Sequence, residues 1–171
     1  MGNHGYITIQ KDIVVQDLEK MLKEIVEERF QNKIYVDRED GDFVSIYIKD
    51  KKGEEHYVTG FFLGDGQGFN ATKSNQIEYN HTSGDHFWWI EMVLADHLAY
   101  RYNGMMSDTG VGGKWKPDIN KYKTYREWAE YWNRGSQKRK PHLLERAHVN
   151  SNISYLVKMY GDIFADGGKN G

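Results

Sequence analysis

Residues 43–63 decide the fold, and they read FVSIYIKDKKGEEHYVTGFFL. Apolar and polar side chains alternate from Phe43 to Ile48, which is the period-two pattern of a half-buried strand. A second apolar run extends from His56 to Leu63, after the turn sequence Asp-Lys-Lys-Gly at positions 50–53. Glycine accepts the positive φ that many tight turns require. The stretch therefore predicts two antiparallel strands joined by a short turn.

Three shorter apolar runs extend this pattern in both directions. Ile34 to Val36 precedes the turn sequence Glu-Asp-Gly-Asp at positions 39–42, and Gln76 to Tyr79 follows the glycine-rich loop at positions 64–68. Tyr6 to Gln10 is a further short strand near the start of the chain. Strands that cluster together, rather than alternating with helices, favour an antiparallel sheet. We therefore predict a meander of about four to five strands.

Two segments place apolar residues at the spacing of amphipathic helices. Residues 13–30 do so, with Asp12 positioned as the N-cap, and residues 86–103 do so, with Asn103-Gly104 as the C-terminal stop. The apolar positions are Val14, Leu18, Met21, Leu22, Ile25 and Phe30 in the first segment, and Phe87, Ile90, Leu94 and Leu98 in the second. The predicted fold class is α+β, with the sheet packed against these two main helices.

The remaining sequence predicts a loop and short C-terminal helices. Residues 107–113 are rich in glycine and predict a loop. The capping box at Thr124 to Glu127 opens a predicted helix over 124–132, and Pro141 precedes another over 142–149. We expect one domain over residues 1–165 and a flexible tail over 166–171.

Composition excludes several classes of protein. The 171 residues include no cysteine, which excludes disulfides, thiolate metal sites and a cysteine nucleophile. The start of the chain lacks the basic and apolar regions of a signal peptide, and no apolar run approaches the ~20 residues of a membrane span. We therefore expect a cytoplasmic protein that does not engage membranes.

Charge is distributed unevenly along the chain. Residues 1–85 contain 10 Lys and Arg against 16 Asp and Glu, whereas residues 86–171 contain 13 against 9. Residues 114–148 carry ten of the basic residues together with six Trp and Tyr. Basic side chains attract phosphates, and aromatic faces stack on bases. The predicted binding residues are Lys114, Trp115, Lys116, Arg126, Arg134, Lys138, Arg139 and Lys140; the alternative is that the aromatic residues pack inward and the lysines only solvate the surface.

The run Phe87-Trp88-Trp89 adds two candidates to this binding set. Three consecutive aromatic residues on a helix cannot all face the core, because each residue turns by about 100°. Trp88 or Trp89 is therefore expected at the surface or against another element.

Glu91 and a nearby histidine cluster support a different hypothesis. Glu91 lies beside the apolar stripe of the second helix, where burial would shift its pKa and suit it to general acid or base chemistry. A structural partner, either Arg101 or a strand tyrosine, is the alternative. His81, Asp85 and His86 are candidate ligands for a divalent metal, although Asp85 is equally suited to capping the helix. We expect no other cofactor.

These observations lead to three hypotheses about function. The first is a non-enzymatic binding protein that engages a nucleotide, a nucleic acid or a nucleoprotein through the basic aromatic region. The second is a small metal-dependent hydrolase that uses Glu91. The third is an immunity-type protein that binds one protein partner through the acidic face of the first helix, formed by Glu19, Glu24, Glu27 and Glu28. In composition alone, the chain resembles accessory proteins of phages and mobile elements.

Overall fold

The computed structural model describes residues 4–30, 34–38, 41–65, 70–80, 88–108 and 114–119, together with Lys158. Within these residues it confirms the predicted α+β class, with an antiparallel sheet and two helices. The elements are β1 (His4–Val14), α1 (Val15–Arg29), β2 (Ile34–Asp37), β3 (Phe43–Lys49), β4 (Glu55–Leu63), β5 (Lys73–Asn80), α2 (Trp88–Arg101), β6 (Met105–Asp108) and β7 (Lys114–Trp115). The predicted helices over 124–132 and 142–149, and the predicted tail, lie outside the described residues.

The sheet has more strands than the sequence predicted. Its order is β2-β3-β4-β5-β1-β6-β7, and every neighbouring pair is antiparallel. The predicted loop over 107–113 is wrong at its start, because Ser107 and Asp108 belong to β6. β6 pairs with the free edge of β1, with Met105 opposite Thr8, and β7 then pairs with β6. The sequence of β6 therefore gives little indication of a strand, and the segment is ordered by hydrogen bonding to the edge of β1, which is distant in sequence.

Both helices pack on one face of the sheet. Strand residues alternate between the two faces, so that Ile46, Phe61 and Ile77 point toward the helices. They meet Leu22 of α1 and Leu94 of α2 in one continuous buried core. The predicted apolar stripe of the second helix is confirmed at Ile90, Leu94 and Leu98, and that of the first at Leu18, Leu22, Ile25 and Phe30.

The first helix begins two residues later than predicted. Asp12 lies within β1 and is exposed, so the prediction that it caps the helix is wrong. Val14 is the N-cap residue, and its N–H donates a hydrogen bond of 3.2 Å to the carboxylate of Asp17 in the first turn. This carboxylate satisfies an amide at the helix start and also complements the positive end of the helix dipole.

Candidate functional site

A cleft lies where α2 ends and the chain turns back toward the sheet. Its volume is about 370 Å³, within the range of about 300–1,000 Å³ that is typical of small-molecule sites. The lining residues come from the end of α2 and from the segment after β7: Ala99, Tyr100, Asn103, Gly104, Lys116, Pro117 and Asp118. The cleft therefore brings together an aromatic ring, a carboxamide, a cation and a carboxylate.

The helix wall of the cleft is built by a Schellman C-cap. Asn103 has a left-handed φ of 52°. Its N–H bonds to the carbonyl of Tyr100 at 3.1 Å, and the N–H of Gly104 bonds to the carbonyl of Ala99 at 2.7 Å. These two bonds satisfy carbonyls that would otherwise be left unpaired at the helix end. The predicted stop at Asn103-Gly104 is thus confirmed.

Gly104 allows the close approach that carries the chain from the helix into β6. A Cβ atom at this position would lie 2.9 Å from the backbone carbonyl oxygen of Thr8. Only glycine fits so close to the neighbouring strand without a shift of backbone. The tight passage fixes the end of α2 directly above β1.

The second wall of the cleft is held in place by Trp115. Its indole N–H donates a hydrogen bond of 3.1 Å to the carboxylate of Asp96 on α2. This contact draws the segment after β7 toward the helix, where Pro117 and Ile119 are buried. Lys116 and Asp118, which flank the buried Pro117, are exposed.

The structure separates the three predicted binding residues that it describes. Lys116 lines the cleft, and Trp115 beside it packs half-buried against the core. Because side chains alternate along a strand, Lys114 faces the opposite side of the sheet from Trp115. The predicted residues Arg126, Arg134, Lys138, Arg139 and Lys140 lie outside the described residues. Trp88 and Trp89 open α2, and only their backbone is described.

Three polar or aromatic residues of the cleft, Tyr100, Asn103 and Asp118, were not predicted to bind a ligand. Tyr100 is 40% exposed although it belongs to a helix that is otherwise almost completely buried. Asn103 was interpreted only as a helix stop. The available signal in the sequence was a tyrosine three residues before the predicted stop at Asn103, because both side chains then lie at the helix end.

Glu91 lies away from the cleft, deep between α2 and the sheet. It has no solvent exposure, and its carboxylate accepts a hydrogen bond from the hydroxyl of Thr59 on β4. Thr59 pairs with Ile46, whose side chain points to the helix face. The hydrogen bond ties the helix to the sheet, and the catalytic role of Glu91 stays a prediction. The proposed metal ligands His81, Asp85 and His86 lie outside the described residues.

The acidic face of α1 is largely occupied by contacts within the molecule. Arg101 of α2 contacts the carboxylates of Glu24, at 3.9 Å, and Glu28. Arg38 contacts Glu19 at 3.3 Å. The Nε of Arg101 also donates a hydrogen bond of 3.1 Å to Nε2 of His97. These contacts anchor the end of α2 to α1 and hold the helix wall of the cleft.

Tyr102 adds a second link between the two helices. Its hydroxyl donates to the carbonyl oxygen of Asp17 at 3.4 Å. Burial, together with the nearby charges of Asp17 and Glu24, raises the pKa of Tyr102 to about 12. The phenol therefore stays protonated and keeps its donor at neutral pH.

A tyrosine ladder crosses the other face of the sheet. Tyr35 and Tyr47 stack with centroids 5.6 Å apart, and Tyr57 meets Tyr47 edge to face at 5.8 Å. The ammonium of Lys49 lies 5.5 Å from the centroid of the Tyr35 ring. Burial raises the pKa of Tyr35 to about 12, with a further contribution from its hydrogen bond to Glu55. These ring contacts join neighbouring strands across the sheet.

The turn after β3 carries a cluster of potential ligand atoms from Asp50, Glu54 and His56, which lie within 4.8 Å of one another. One oxygen of Asp50 accepts backbone N–H bonds from Lys52 and Glu54, both at 2.9 Å. Its other oxygen lies 3.0 Å from Nε2 of His56. The hydrogen bond to His56 lowers the pKa of Asp50, and the two backbone bonds lower it further. These contacts give the carboxylate a structural role in closing the turn.

Comparison with known proteins provides no assignment. No protein-family model matches the chain, and no curated protein and no solved structure is significantly similar to it. Within the part of the chain that the structure describes, no helix combines the length and apolar character needed to cross a membrane.

Proposed function

We propose that the protein is a non-enzymatic binding protein and that its ligand is a nucleotide held in the cleft at the end of α2. The observation that carries this proposal is the convergence of Tyr100, Asn103, Lys116 and Asp118 on one cavity of about 370 Å³. These side chains offer a partner to each chemical part of a nucleotide.

Each part of the ligand is assigned to a named side chain. The ammonium of Lys116 binds the phosphate as a point charge. The ring of Tyr100, which is 40% exposed, stacks on the base, an interaction worth ~1–3 kcal/mol. The carboxylate of Asp118 accepts a hydrogen bond from a ribose hydroxyl, as acidic residues do in dinucleotide sites.

The charges of the cleft limit the size of the ligand. Among the described lining residues, Lys116 is the one cation and Asp118 the one anion. Such a site offsets little of the charge on a triphosphate. The expected ligand is therefore a nucleoside monophosphate, or the terminal nucleotide of a chain.

The buried position of Glu91 supports binding rather than hydrolysis. Glu91 has no solvent exposure and accepts a hydrogen bond from Thr59, which favours a role in joining α2 to the sheet. The contacts of Glu24 and Glu28 with Arg101 similarly weigh against a partner surface on α1, since those acids already have a cation.

The first experiment is a calorimetric titration of the purified protein with AMP, GMP, CMP, UMP and inorganic phosphate. A ligand of about 23 non-hydrogen atoms at about 0.3 kcal/mol per atom gives a dissociation constant on the order of 10 µM. Nucleotide concentrations from 1 µM to about 2 mM therefore span the expected range. The proposal is contradicted if none of the nucleotides binds.

Two lysines that are neighbours in sequence provide a matched pair of variants. We expect Lys116→Glu to weaken nucleotide binding by about tenfold to a hundredfold, because it removes a charge-assisted bond and adds a repulsion. Lys114→Glu makes the same change of charge at a residue that does not line the cleft, and it should leave the affinity within about twofold. Equal losses in both variants would indicate a general charge effect rather than a site.

The basic segment beyond β7 is tested separately. The triple change of Lys138, Arg139 and Lys140 to Glu should weaken binding of a single-stranded oligonucleotide and flatten its dependence on salt, because fewer counterions are released. Binding of the mononucleotide should persist. If the oligonucleotide affinity does not change, the basic segment takes no part in binding.

A further inference from the structure

The pair Asn103-Gly104 at the end of α2 has a chemical reactivity of its own. The backbone nitrogen of the residue after an asparagine can attack the carbon of the side-chain amide. Glycine hinders this attack least, because it has no side chain and the widest choice of backbone conformations. Asparagine is for this reason among the thermolabile residues. Asn103 is exposed, so water has access to the product of such an attack.

The C-cap restrains the nitrogen that would attack. Gly104 is buried, and its N–H donates a hydrogen bond of 2.7 Å to the carbonyl oxygen of Ala99. The nitrogen must lose this proton to become a nucleophile, and the hydrogen bond keeps the proton in place. A second bond, from the N–H of Asn103 to the carbonyl of Tyr100 at 3.1 Å, holds Asn103 in its left-handed conformation, with a φ of 52°. Attack on the amide therefore requires the cap to open first.

We propose that Asn103 is a site of spontaneous deamidation and that opening of this cap sets the rate. In the open cap, the nitrogen of Gly104 forms a bond to Cγ of Asn103. The bond from Cγ to Nδ2 breaks, and Nδ2 leaves as ammonia with the proton from the Gly104 nitrogen. One water molecule then opens the resulting succinimide ring at either of its two carbonyl carbons. The product is aspartate, or isoaspartate in which the main chain runs through the former side chain.

Isoaspartate does not fit the junction between α2 and β6. It lengthens the main chain by a methylene group directly before Gly104, where a Cβ atom would already lie 2.9 Å from the carbonyl oxygen of Thr8. The longer chain displaces the N–H of Gly104 from the carbonyl of Ala99 and removes the bond that restrains the cap. Because ammonia is lost, a brief opening of the cap becomes a permanent loosening of the junction. This proposal does not depend on the nucleotide proposed for the cleft.

The test compares the rate of deamidation in the folded protein with the rate in the protein unfolded by urea. Both samples are incubated in the same mildly alkaline buffer, and peptide mass spectrometry measures the conversion of the amide at position 103 to an acid. Chromatography of the same peptide separates aspartate from isoaspartate. We expect the reaction to be about fivefold to a hundredfold slower in the folded protein, the factor that two hydrogen bonds of typical strength provide.

Asn103→Gly is the matched control for the structural consequence. Glycine lacks the amide and is favoured at a left-handed C-cap, so the variant should fold with an unchanged or higher melting temperature. The wild type and the variant are both incubated in urea and then refolded. The melting temperature of the refolded wild type should fall as isoaspartate accumulates at position 103. That of the variant should fall less, because only the other asparagines react in it.

Each outcome decides for or against the proposal. Equal rates in the folded and unfolded protein would show that the cap does not control the reaction. No reaction at Asn103 in urea would show that the pair is not reactive, and either result overturns the proposal. Equal losses of melting temperature in the wild type and in Asn103→Gly would overturn the effect assigned to isoaspartate. A slower reaction in the folded protein, together with a larger loss in the wild type, supports the proposal.

Discussion

The hydrogen bond between Thr59 and Glu91 gives the most direct prediction about stability. Thr59→Val keeps the shape of the side chain but removes the hydroxyl that donates to the carboxylate. Both residues have no solvent exposure, so water cannot replace the lost donor in the intact core. Removing one partner of a buried hydrogen bond leaves the other group desolvated, which costs ~1–3 kcal/mol. We therefore expect the free energy of unfolding to fall by about 1–3 kcal/mol.

Urea denaturation, followed by far-ultraviolet circular dichroism, measures this loss. At roughly 2–4 °C per kcal/mol for a chain of this size, the melting temperature should fall by about 2–12 °C. Thr8→Val is the matched control, because Thr8 is exposed on β1 and its replacement should change stability by no more than about 0.5 kcal/mol. Equal effects of the two substitutions would refute the structural role assigned to the buried hydrogen bond.

Three further predictions concern the sheet. Glu55→Gln should bring the pKa of Tyr35 down from about 12 toward 10, because it removes the carboxylate that favours the protonated phenol. The pH dependence of the Cζ chemical shift of the Tyr35 ring measures this pKa. An unchanged pKa would show that burial alone raises it. The pKa of Asp50 is lowered, so the ionised carboxylate stabilises the fold above the ordinary Asp pKa of 3.8, and this contribution is lost as pH falls through the lowered pKa. The difference in stability between the wild type and Asp50→Asn should therefore be present at pH 7 and disappear near pH 2. A difference that persists near pH 2 would contradict this linkage. Gly60→Ala should lower the free energy of unfolding by about 1–3 kcal/mol in urea denaturation, because the Phe43 ring lies 2.1 Å from the position of the added Cβ. This loss should be smaller when Phe43 is also changed to Ala.

The elements with strong periodicity were predictable from the sequence. The stripe of α2 and its stop at Asn103-Gly104 depend only on local spacing and on the conformational preference of those two residues. β6 was missed because Met105 to Asp108 is short and is followed by glycines, and its pairing depends on the edge of β1, about 100 residues earlier. Asp12 has the chemistry of a cap, yet pairing of β1 continues through Val14 and moves the helix start.

The candidate site was predictable only in part. Lys116 was predicted from charge, but its environment was not, because the cleft forms when Trp115 bonds to Asp96 on α2, 19 residues earlier. The burial of Glu91 followed from its place beside the stripe. Its partner Thr59 lies 32 residues earlier, and such a pairing depends on how the strands are ordered.

A two-dimensional ¹H–¹⁵N correlation titration of the isotope-labelled protein with AMP tests most directly whether a nucleotide binds at the end of α2, because the spectrum reports where the ligand binds as well as whether it binds. We expect saturable shifts that are largest at the amides of Tyr100, Asn103, Gly104 and Lys116, with the amides of β2 and β3 unchanged. Shifts confined to other regions, or no shifts at millimolar AMP, would contradict it.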